Sequence, residues 1–317
     1  MVAVTRPGAA DRLGVTVTIA TRDRMALLAR ALDGIWGQSY PGAIQVVVVV
    51  DGPLPPAAEL EALPGPVAPR HSLEILTNLL TPGLAGARNT ALAAARHDLV
   101  ATCDDDDVWL PDRLTLQVAA MLEDVEAVAI GGSVRIVRGH RHVLRRAPRH
   151  EVRLGDLLDD RIMELHPSAM TYRLEALEKV GGWDETLPGG YAEDYDLLLR
   201  LAKHGKLRLV DEVMADIHWD GGSYFFDRWQ MIADSLSLLL RRYPEFASSP
   251  RGRARIEGQI AFAHAAMGHG AETRTWIGRC WRDNRREPRA VLAALVLTRL
   301  VTAHGVQRLL HAQGRGI

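Results

Sequence analysis

Four consecutive aspartates, Asp104-Asp105-Asp106-Asp107, end an apolar stretch and carry the most evident chemistry in the chain. Crowded carboxylates repel, so their ionisation is costly unless a cation or water offsets it. Hard oxygen ligands suit Mg2+ or Mn2+, and an ion held by one or two carboxylates often also takes substrate phosphates. The plainer reading is a solvated acidic turn. The apolar strand in front of the run favours a site, because ligands of open α/β sheets gather outside the carboxyl ends of the strands. A second acidic pair, Glu193-Asp194, opens a helix, where the dipole alone favours acids and capping competes with catalysis. Upstream lie Gly181-Gly182-Trp183-Asp184-Glu185 and Pro188-Gly189-Gly190, a glycine-rich loop with an aromatic that would suit a substrate pocket with a general base. His218 ends a β-rich stretch before Asp220-Gly221-Gly222-Ser223, and matters only if folding carries it to the aspartates.

These groups need elements to position them. Residues 15–20 are an apolar, β-branched run; Asp23 can cap the helix that follows, and Leu28, Leu32, Ile35 and Trp36 share one helical face. Ile44–Val50 is apolar without alternation, the mark of a strand buried on both faces. Strand, helix, strand at this spacing is a βαβ unit of a parallel sheet. Ser72–Thr77 reads as a third strand, 85–96 as an alanine-rich helix and 98–103 as a fourth strand running into the aspartates. Thr21, Asp51 and Asp104 each follow such a strand, so three separate segments should meet in one crevice. A helix over 111–122 and a strand over 126–130 continue the pattern. Helix 193–204 and short strands 207–210 and 213–218 follow. Beyond residue 224 only helices are expected, broken near Pro244, Pro250 and Pro288.

The chain has 317 residues, 47% apolar and 24% charged, which is globular composition and excludes a disordered, collagenous or coiled-coil chain. Its formal charge of −1 gives no global argument for nucleic acid. Two cysteines, Cys103 and Cys280, are too few for a disulfide scaffold or a cysteine-built zinc site and suit a reducing compartment. The first fourteen residues lack an apolar core, and no apolar run reaches ~18–20 residues, so neither a secretory signal nor a spanning helix is expected. Only three of the 38 cations are lysine, a bias that points to a GC-rich genome.

Five segments together resemble the inverting glycosyltransferases of family 2: VTVTIATRDRMALLARALDGIWGQSYPG (15–42), VVVVVDGP (46–53), GLAGARNTALAAARHDLVATCDDDDVWLPDRL (83–114), VGGWDETLPGGYAEDYDLLLRLAKHG (180–205) and IHWDGGS (217–223). The resemblance implies a GT-A fold: an α/β, Rossmann-like, mixed but mostly parallel sheet flanked by helices, here over residues 1–222, with a helical region over 223–317. It implies that Thr21 and Arg22 line the nucleotide base and that Asp51 reads it. Arg88 and Asn89 match a signature beside the nucleotide. Asp104 and Asp105 would face the donor, Asp104 towards the ribose, while Asp106 and His218 would hold the metal. Asp194 matches the catalytic base, with Glu193 and Trp183 in the acceptor pocket. The chain departs from the family pattern at Ala20, Ala215 and Asp216.

The implied reaction is metal-dependent transfer from a nucleoside diphosphate sugar, a UDP-sugar first among them, to a hydroxyl of a glycan, lipid-linked or small-molecule acceptor. A divalent ion stabilises the leaving diphosphate, and a carboxylate on the opposite side of the sugar takes the acceptor proton, giving inversion. Two alternatives compete. Asp104-Asp105-Asp106-Asp107-Val108 formally fits the nucleophile motif of haloacid-dehalogenase-like phosphatases, with Lys179 and Glu193-Asp194 in supporting roles, although that motif normally follows the first strand. A non-catalytic sugar-nucleotide-binding module is the other. Two basic stretches remain outside this scheme. Residues 133–153 carry seven arginines, three histidines and one glutamate, and read as a solvated hairpin or a grip on an acidic acceptor. Residues 273–317 carry nine arginines and two acids, and read as a helical cap, a homodimer surface or a peripheral membrane contact. A cytoplasmic location is expected, at the inner face of the membrane if that tail docks there.

Overall fold

A computed structural model describes residues 13–219 and 227–312. They form two compact units. The first takes the described residues up to Arg153, then Met163–Glu185 and Leu197 onward to the end of the sheet; the second takes Leu154–Ile162, Thr186–Asp196 and the described residues from 227 on. A single division at residue 222 therefore omits two middle segments that join the C-terminal helices. The chain passes between the units five times, where a linear division has it pass once.

In the first unit, β1 (Val15–Thr21), β2 (Ile44–Val50), β3 (Ser72–Thr77) and β4 (Leu99–Asp104) make a parallel block in the order β3-β2-β1-β4. All seven residues of β2 are buried, as its unbroken apolar run requires. Helices α1 (Met25–Trp36), α2 (Ala57–Glu61) and α3 (Leu84–Ala93) connect these strands. α1 buries Leu28, Leu32, Ile35 and Trp36 on the face read from their spacing. Asp23 does not cap it: Asp23 sits at φ +54°, and the N-cap position of α1 is Arg24, which makes no side-chain cap.

The rest of the sheet departs from a simple continuation. After β5 (Val108–Trp109) and α4 (Arg113–Glu123), β6 runs from Ala127 to Arg138, well into the basic stretch, and turns at Gly139 (φ +53°) into β7 (Arg141–Arg145). β8 (Glu151–Val152) follows, and α5 (Leu154–Asp159) belongs to the second unit. Then β9 (Thr171–Arg173) inserts antiparallel between β4 and β6. After α6 (Leu174–Val180) and α7 (Glu193–Leu201), the two strands expected near 207–218 are one, β10 (Lys206–His218), parallel to β6 and bulged between Val210 and Val213. The sheet is thus mixed and mostly parallel in its long pairings, with helices on its faces.

In the second unit, α9 (Pro250–Ala266) is the central helix, packed by α8 (Trp229–Arg242), α10 (Gly270–Asp283), α11 (Pro288–Leu297) and α12 (Ala303–Ala312). Ser249 caps α9 by accepting from Gly252 N at 3.1 Å, and Pro250 takes the first turn, where a missing N–H costs nothing. The breaks read at Pro250 and Pro288 are therefore helix starts. Gly252 is also where α5 crosses α9: a Cβ there would lie 1.7 Å from the Leu158 carbonyl oxygen. Gly278, midway along α10, faces open space.

Two glycine substitutions should therefore act with opposite signs in urea unfolding. Gly252→Ala must push backbone from backbone and should destabilise by about 1–3 kcal/mol or more. Gly278→Ala should stabilise by about 0.5–1 kcal/mol, since it only removes the glycine penalty of a helix interior. Equal stability of Gly252→Ala and the parent chain would contradict the α5–α9 crossing.

Candidate active site

Parallel pairing fixes the site before any side chain is considered. Thr21 pairs with Val50, and Ala20 with Asp104, so Thr21, Asp51 and Asp104 leave three adjacent strands at one edge. The loops they enter are tied together. Asp51 N donates to the Thr21 carbonyl at 2.9 Å, and Thr21 Oγ1 donates to Asp105 Oδ2 at 2.7 Å. Asp51 Oδ1 accepts from Asn78 Nδ2 at 2.7 Å and Gly83 N at 3.0 Å, while Asp51 Oδ2 makes no hydrogen bond among the described residues. Asn78, which the sequence reading passed over, thus holds the acid that follows β2.

Each aspartate of the run meets a different partner. Arg88, buried, donates to Asp104 Oδ1 at 2.6 Å. Arg24 Nη1 reaches Asp105 Oδ1 at 3.2 Å and Asp106 Oδ2 at 3.1 Å. Arg22, expected beside the nucleotide, is exposed and makes no ion pair among the described residues; the arginine that meets the acids is two residues on. Asp107 is buried and turns inward: Ser168 Oγ donates to its Oδ2 at 2.5 Å and His218 N to its Oδ1 at 2.9 Å. Ser168 Oγ in turn accepts from Asp104 N at 3.0 Å, so Ser168 fixes both ends of the run.

The charge is not fully offset. Burial raises the pKa of Asp105 to about 6, and Asp106 adds to the rise while Thr21 and Arg24 oppose it. Asp106 is raised by burial, then by Asp104. Asp107 is pushed well above the usual carboxylate range by burial, then by Asp104 and Asp106. Carboxylates held in this way favour a bound cation. Asp106 is the member with an open side chain, and His218 is close enough for its charge to favour the ionised carboxylate. His218 Nδ1 is buried with no hydrogen-bond partner among the described residues. Asp106 and His218 therefore fit a divalent ion. A different trio, Asp104, Asp107 and His166, has ligand atoms within 4.8 Å of one another. Three of its four carboxylate oxygens are taken by Arg88, Ser168 and His218 N, and His166 Nδ1 accepts from Ser168 N at 3.2 Å, so it reads as an internal brace.

Asn89 and Trp183 meet, but through the backbone. Asn89 Nδ2 donates to the Trp183 carbonyl and to Glu185 Oε1, both at 2.8 Å, and Asn89 Oδ1 accepts from Trp183 N at 2.8 Å. Asn89 thus clamps the glycine-rich loop. Gly182 lies at φ +68°, and a Cβ there would meet Asn89 Oδ1 at 2.4 Å, which explains the glycine. The Trp183 ring is buried against Arg88, whose guanidinium carbon lies 5.8 Å from its centroid.

Asp194 and Glu193 belong to the second unit, in the first turn of α7 after Ala192 at φ +65°. Glu193 is buried. Asp194 accepts from Arg161 Nη2 on Oδ1 at 2.8 Å and on Oδ2 at 2.6 Å, and from Tyr195 N at 2.7 Å. Burial works against the Arg161 charge, but Asp194, with Tyr191 and Glu193, more than compensates, and the Arg161 guanidinium is held above its ordinary pKa. Arg161 carried no sequence signal; it lies 33 residues from Asp194. Farther along, Asp216 pairs with Arg135 at 2.5 Å across β10 and β6, which accounts for the acid at a family departure and for one arginine of the basic stretch. A cavity of about 540 Å³ lies at the amino ends of β6 and β10, lined by Glu126, Arg173, Lys179 and Lys206, and holds none of these groups.

Comparison with known proteins gives the family and the fold. The family described as Glycosyl transferase family 2 matches residues 16–181, more than half of the chain. The pre-mycofactocin glycosyltransferase of Mycobacterium tuberculosis is 30% identical over 248 residues, covering 75% of this chain and 50% of that protein. The chain thus spans about half the length of this curated relative. The amylovoran biosynthesis glycosyltransferase AmsE of Erwinia amylovora is 26% identical over 193 residues, 60% of this chain and 70% of that one. Among solved structures, S. aureus TarS 1-349 in complex with UDP superposes with a TM-score of 0.58 at 18% identity, covering 90% of this chain and 87% of that one. The mannosyltransferase PcManGT of Pyrobaculum calidifontis, in complex with GDP-Man and Mn2+, gives 0.55 at 19% identity, covering 94% and 87%. The fold is the GT-A fold.

The raised Asp105 has a thermodynamic consequence. A carboxyl whose folded pKa is about 6 binds its proton more tightly folded than unfolded, so its contribution is fully present below about pH 4 and is lost as pH rises to about 6. Asp105→Asn keeps an oxygen for Thr21 and removes the charge. In chelator at pH 7.5 it should be more stable than the parent by about 1–3 kcal/mol, with the gain vanishing near pH 4. Urea unfolding across that range checks this, and a variant less stable at pH 7.5 would show the charge to be well accommodated.

Proposed function

The chain belongs to glycosyl transferase family 2, and on that premise we propose that it is an inverting glycosyltransferase, moving a sugar from a nucleoside diphosphate sugar to a hydroxyl acceptor. The observation that carries the reading is the edge at which β1, β2 and β4 deliver Thr21, Asp51 and the aspartates together. We propose a UDP-sugar as donor. Asp51 supports this, because its Oδ2 can accept a base N–H while Oδ1 is held by Asn78 and Gly83. The UDP complex of TarS is consistent with it.

A divalent ion, Mg2+ or Mn2+, would be held by Asp106 and His218; bound there, it supplies positive charge for the leaving diphosphate. The chain's own groups do the rest. Thr21 and Arg24 keep Asp105 and Asp106 in place, and Arg88 keeps Asp104 in place. Asp194 takes the proton from the acceptor hydroxyl. A general base must be ionised at working pH, and the Arg161 Nη2 contact with both carboxylate oxygens favours that form. A phosphatase of the haloacid-dehalogenase kind loses its footing, since the acidic run leaves the fourth strand of a GT-A sheet rather than a first strand.

Three substitutions test the assignment. Asp106→Ala should abolish divalent-stimulated UDP-sugar binding and hydrolysis while the chain stays folded; unchanged binding with and without chelator would remove Asp106 from the metal site. Asp194→Asn should keep donor affinity within a few-fold and lower transfer by roughly 10²–10⁴. Full transfer in that variant would leave Asp194 a helix-turn acid only, since Asn caps as well as Asp. Removing the Arg161 charge should raise the Asp194 pKa, so Arg161→Gln should move the acid limb of the kcat profile to higher pH while donor KM changes little. An unmoved limb would make Arg161 a packing residue.

A further inference from the structure

The helices at the end of the described chain present a surface that the transfer reaction does not use. Leu300 is 73% exposed and Leu309 63% exposed, and Trp281, Val291 and Val301 are also exposed. α11 turns into α12 through residues 298–302, all exposed, so Arg299, Leu300 and Val301 stand outward in succession. Arg299 holds this turn at φ +61°, a conformation rare for an L side chain. On α12, Ala303 and Val306 face inward and Arg308 and Leu309 outward. The apolar side chains are therefore not left over from an unfilled core; each helix has its own buried face as well.

The exposed charge of the same region is predominantly basic. Arg282, Arg285, Arg286, Arg299 and Arg308 are exposed and make no ion pair among the described residues. Of the acids near this surface, Asp283 is engaged by Arg253, Glu287 by Arg289 at 2.8 Å and Asp227 by His304 at 2.9 Å, Glu257 is buried beneath it, and only Glu272, at the far end of α10, is exposed without an ion pair among the described residues. Unpaired guanidinium groups interleaved with exposed leucine, valine and tryptophan match an interface with anionic headgroups outside and acyl chains beneath. An acidic protein surface would satisfy the arginines but leave Leu300 and Leu309 in water. No described helix is long and apolar enough to cross a membrane, so the contact would lie on the surface. We propose that Trp281, Val291, Leu300, Val301 and Leu309, with the five unpaired arginines, dock the second unit on an anionic lipid bilayer. The proposal rests on this surface alone and stands apart from the donor chemistry.

The test is co-sedimentation of the full chain with large vesicles of phosphatidylcholine, with and without about 30% phosphatidylglycerol. Partitioning onto the anionic vesicles should exceed that onto neutral ones by roughly tenfold or more, and should fall steeply between about 0.05 M and about 0.5 M salt as screening shortens. Leu300→Asp with Leu309→Asp should lower anionic binding by roughly tenfold although every arginine remains. Arg285→Gln, Arg286→Gln, Arg299→Gln and Arg308→Gln together should remove the preference for the anionic lipid. Val67→Asp, which alters an exposed valine of the first unit, should change nothing. Equal binding to both vesicle types, or undiminished binding of the leucine variant, would overturn the proposal. So would sedimentation equilibrium showing a dimer that the leucine variant dissolves, because a second copy would then cover the surface. Matching thermal midpoints and UDP-sugar hydrolysis among the variants establish that they are folded.

Discussion

Like charge held at close quarters is the constraint on which the rest of the first unit depends. Four successive carboxylates at the end of a buried strand cannot all be ionised without counter-charge or hydrogen-bond donors. The fold distributes them. Asp104 goes to Arg88, Asp105 and Asp106 to Thr21 and Arg24, and Asp107 to Ser168 and the His218 backbone. These partners come from β1, α1, α3, the segment before β9 and the end of β10. Five stretches of chain are thus tied to one run of four residues.

Behind the run lies a second concentration of charge. Arg113 is completely buried, stacked 3.6 Å over the Trp109 ring, and donates to the Met170 carbonyl at 2.8 Å. Burial lowers its pKa to about 9, while Cys103, Tyr172 and Asp107 favour its charge. It links α4 to β4 and to the segment entering β9, and Gln117 extends the link by accepting from Thr171 Oγ1 at 2.7 Å and donating to the Ala169 carbonyl at 2.7 Å. Apart from Arg113 Nη1, which has no hydrogen-bond partner among the described residues, these groups are paired, and a paired buried polar network specifies a single arrangement. Here the arrangement is the antiparallel β9, a three-residue strand that local propensity alone would not hold.

The second unit handles charge differently. Asp194 and Asp196 sit in the same helical turn, yet each has its own arginine: Arg161 for Asp194, and Arg242 at 3.3 Å for Asp196, with Tyr243 Oη also donating to Asp196 at 2.7 Å. Asp196 is fully buried and its contacts are structural, whereas Asp194 is met by Arg161 at both oxygens and by Tyr195 N at Oδ1. Neighbouring acids of one helix turn thus acquire distinct surroundings.

Ile44–Val50 was legible residue for residue, because a strand buried between neighbours must be apolar and β-branched along its length, and Ser72–Thr77, a half-buried edge strand, was legible with the same bounds. The order of strands and acids likewise showed that Thr21, Asp51 and Asp104 share an edge, since a parallel sheet leaves no other place for them. The family pattern added Asp106, Asp194 and His218 as separate marks. What the sequence could not show is which group meets which. Arg24 rather than Arg22 reaches the acids, because Asp23 adopts a left-handed backbone and the start of α1 aims the later arginine inward. β9 was invisible because three residues carry no periodicity, and its pairing is enforced by Arg113 and Gln117 from a distant helix. Arg161 beside Asp194 had no local signature either, and neither did the two middle segments that join the C-terminal helices. Periodicity and composition are properties of contiguous residues, so the sequence alone determined the four parallel strands β1–β4 and the edge that holds the carboxylates. Ion pairs between distant segments depend on where packing brings the chain back, and only the tertiary structure decided those.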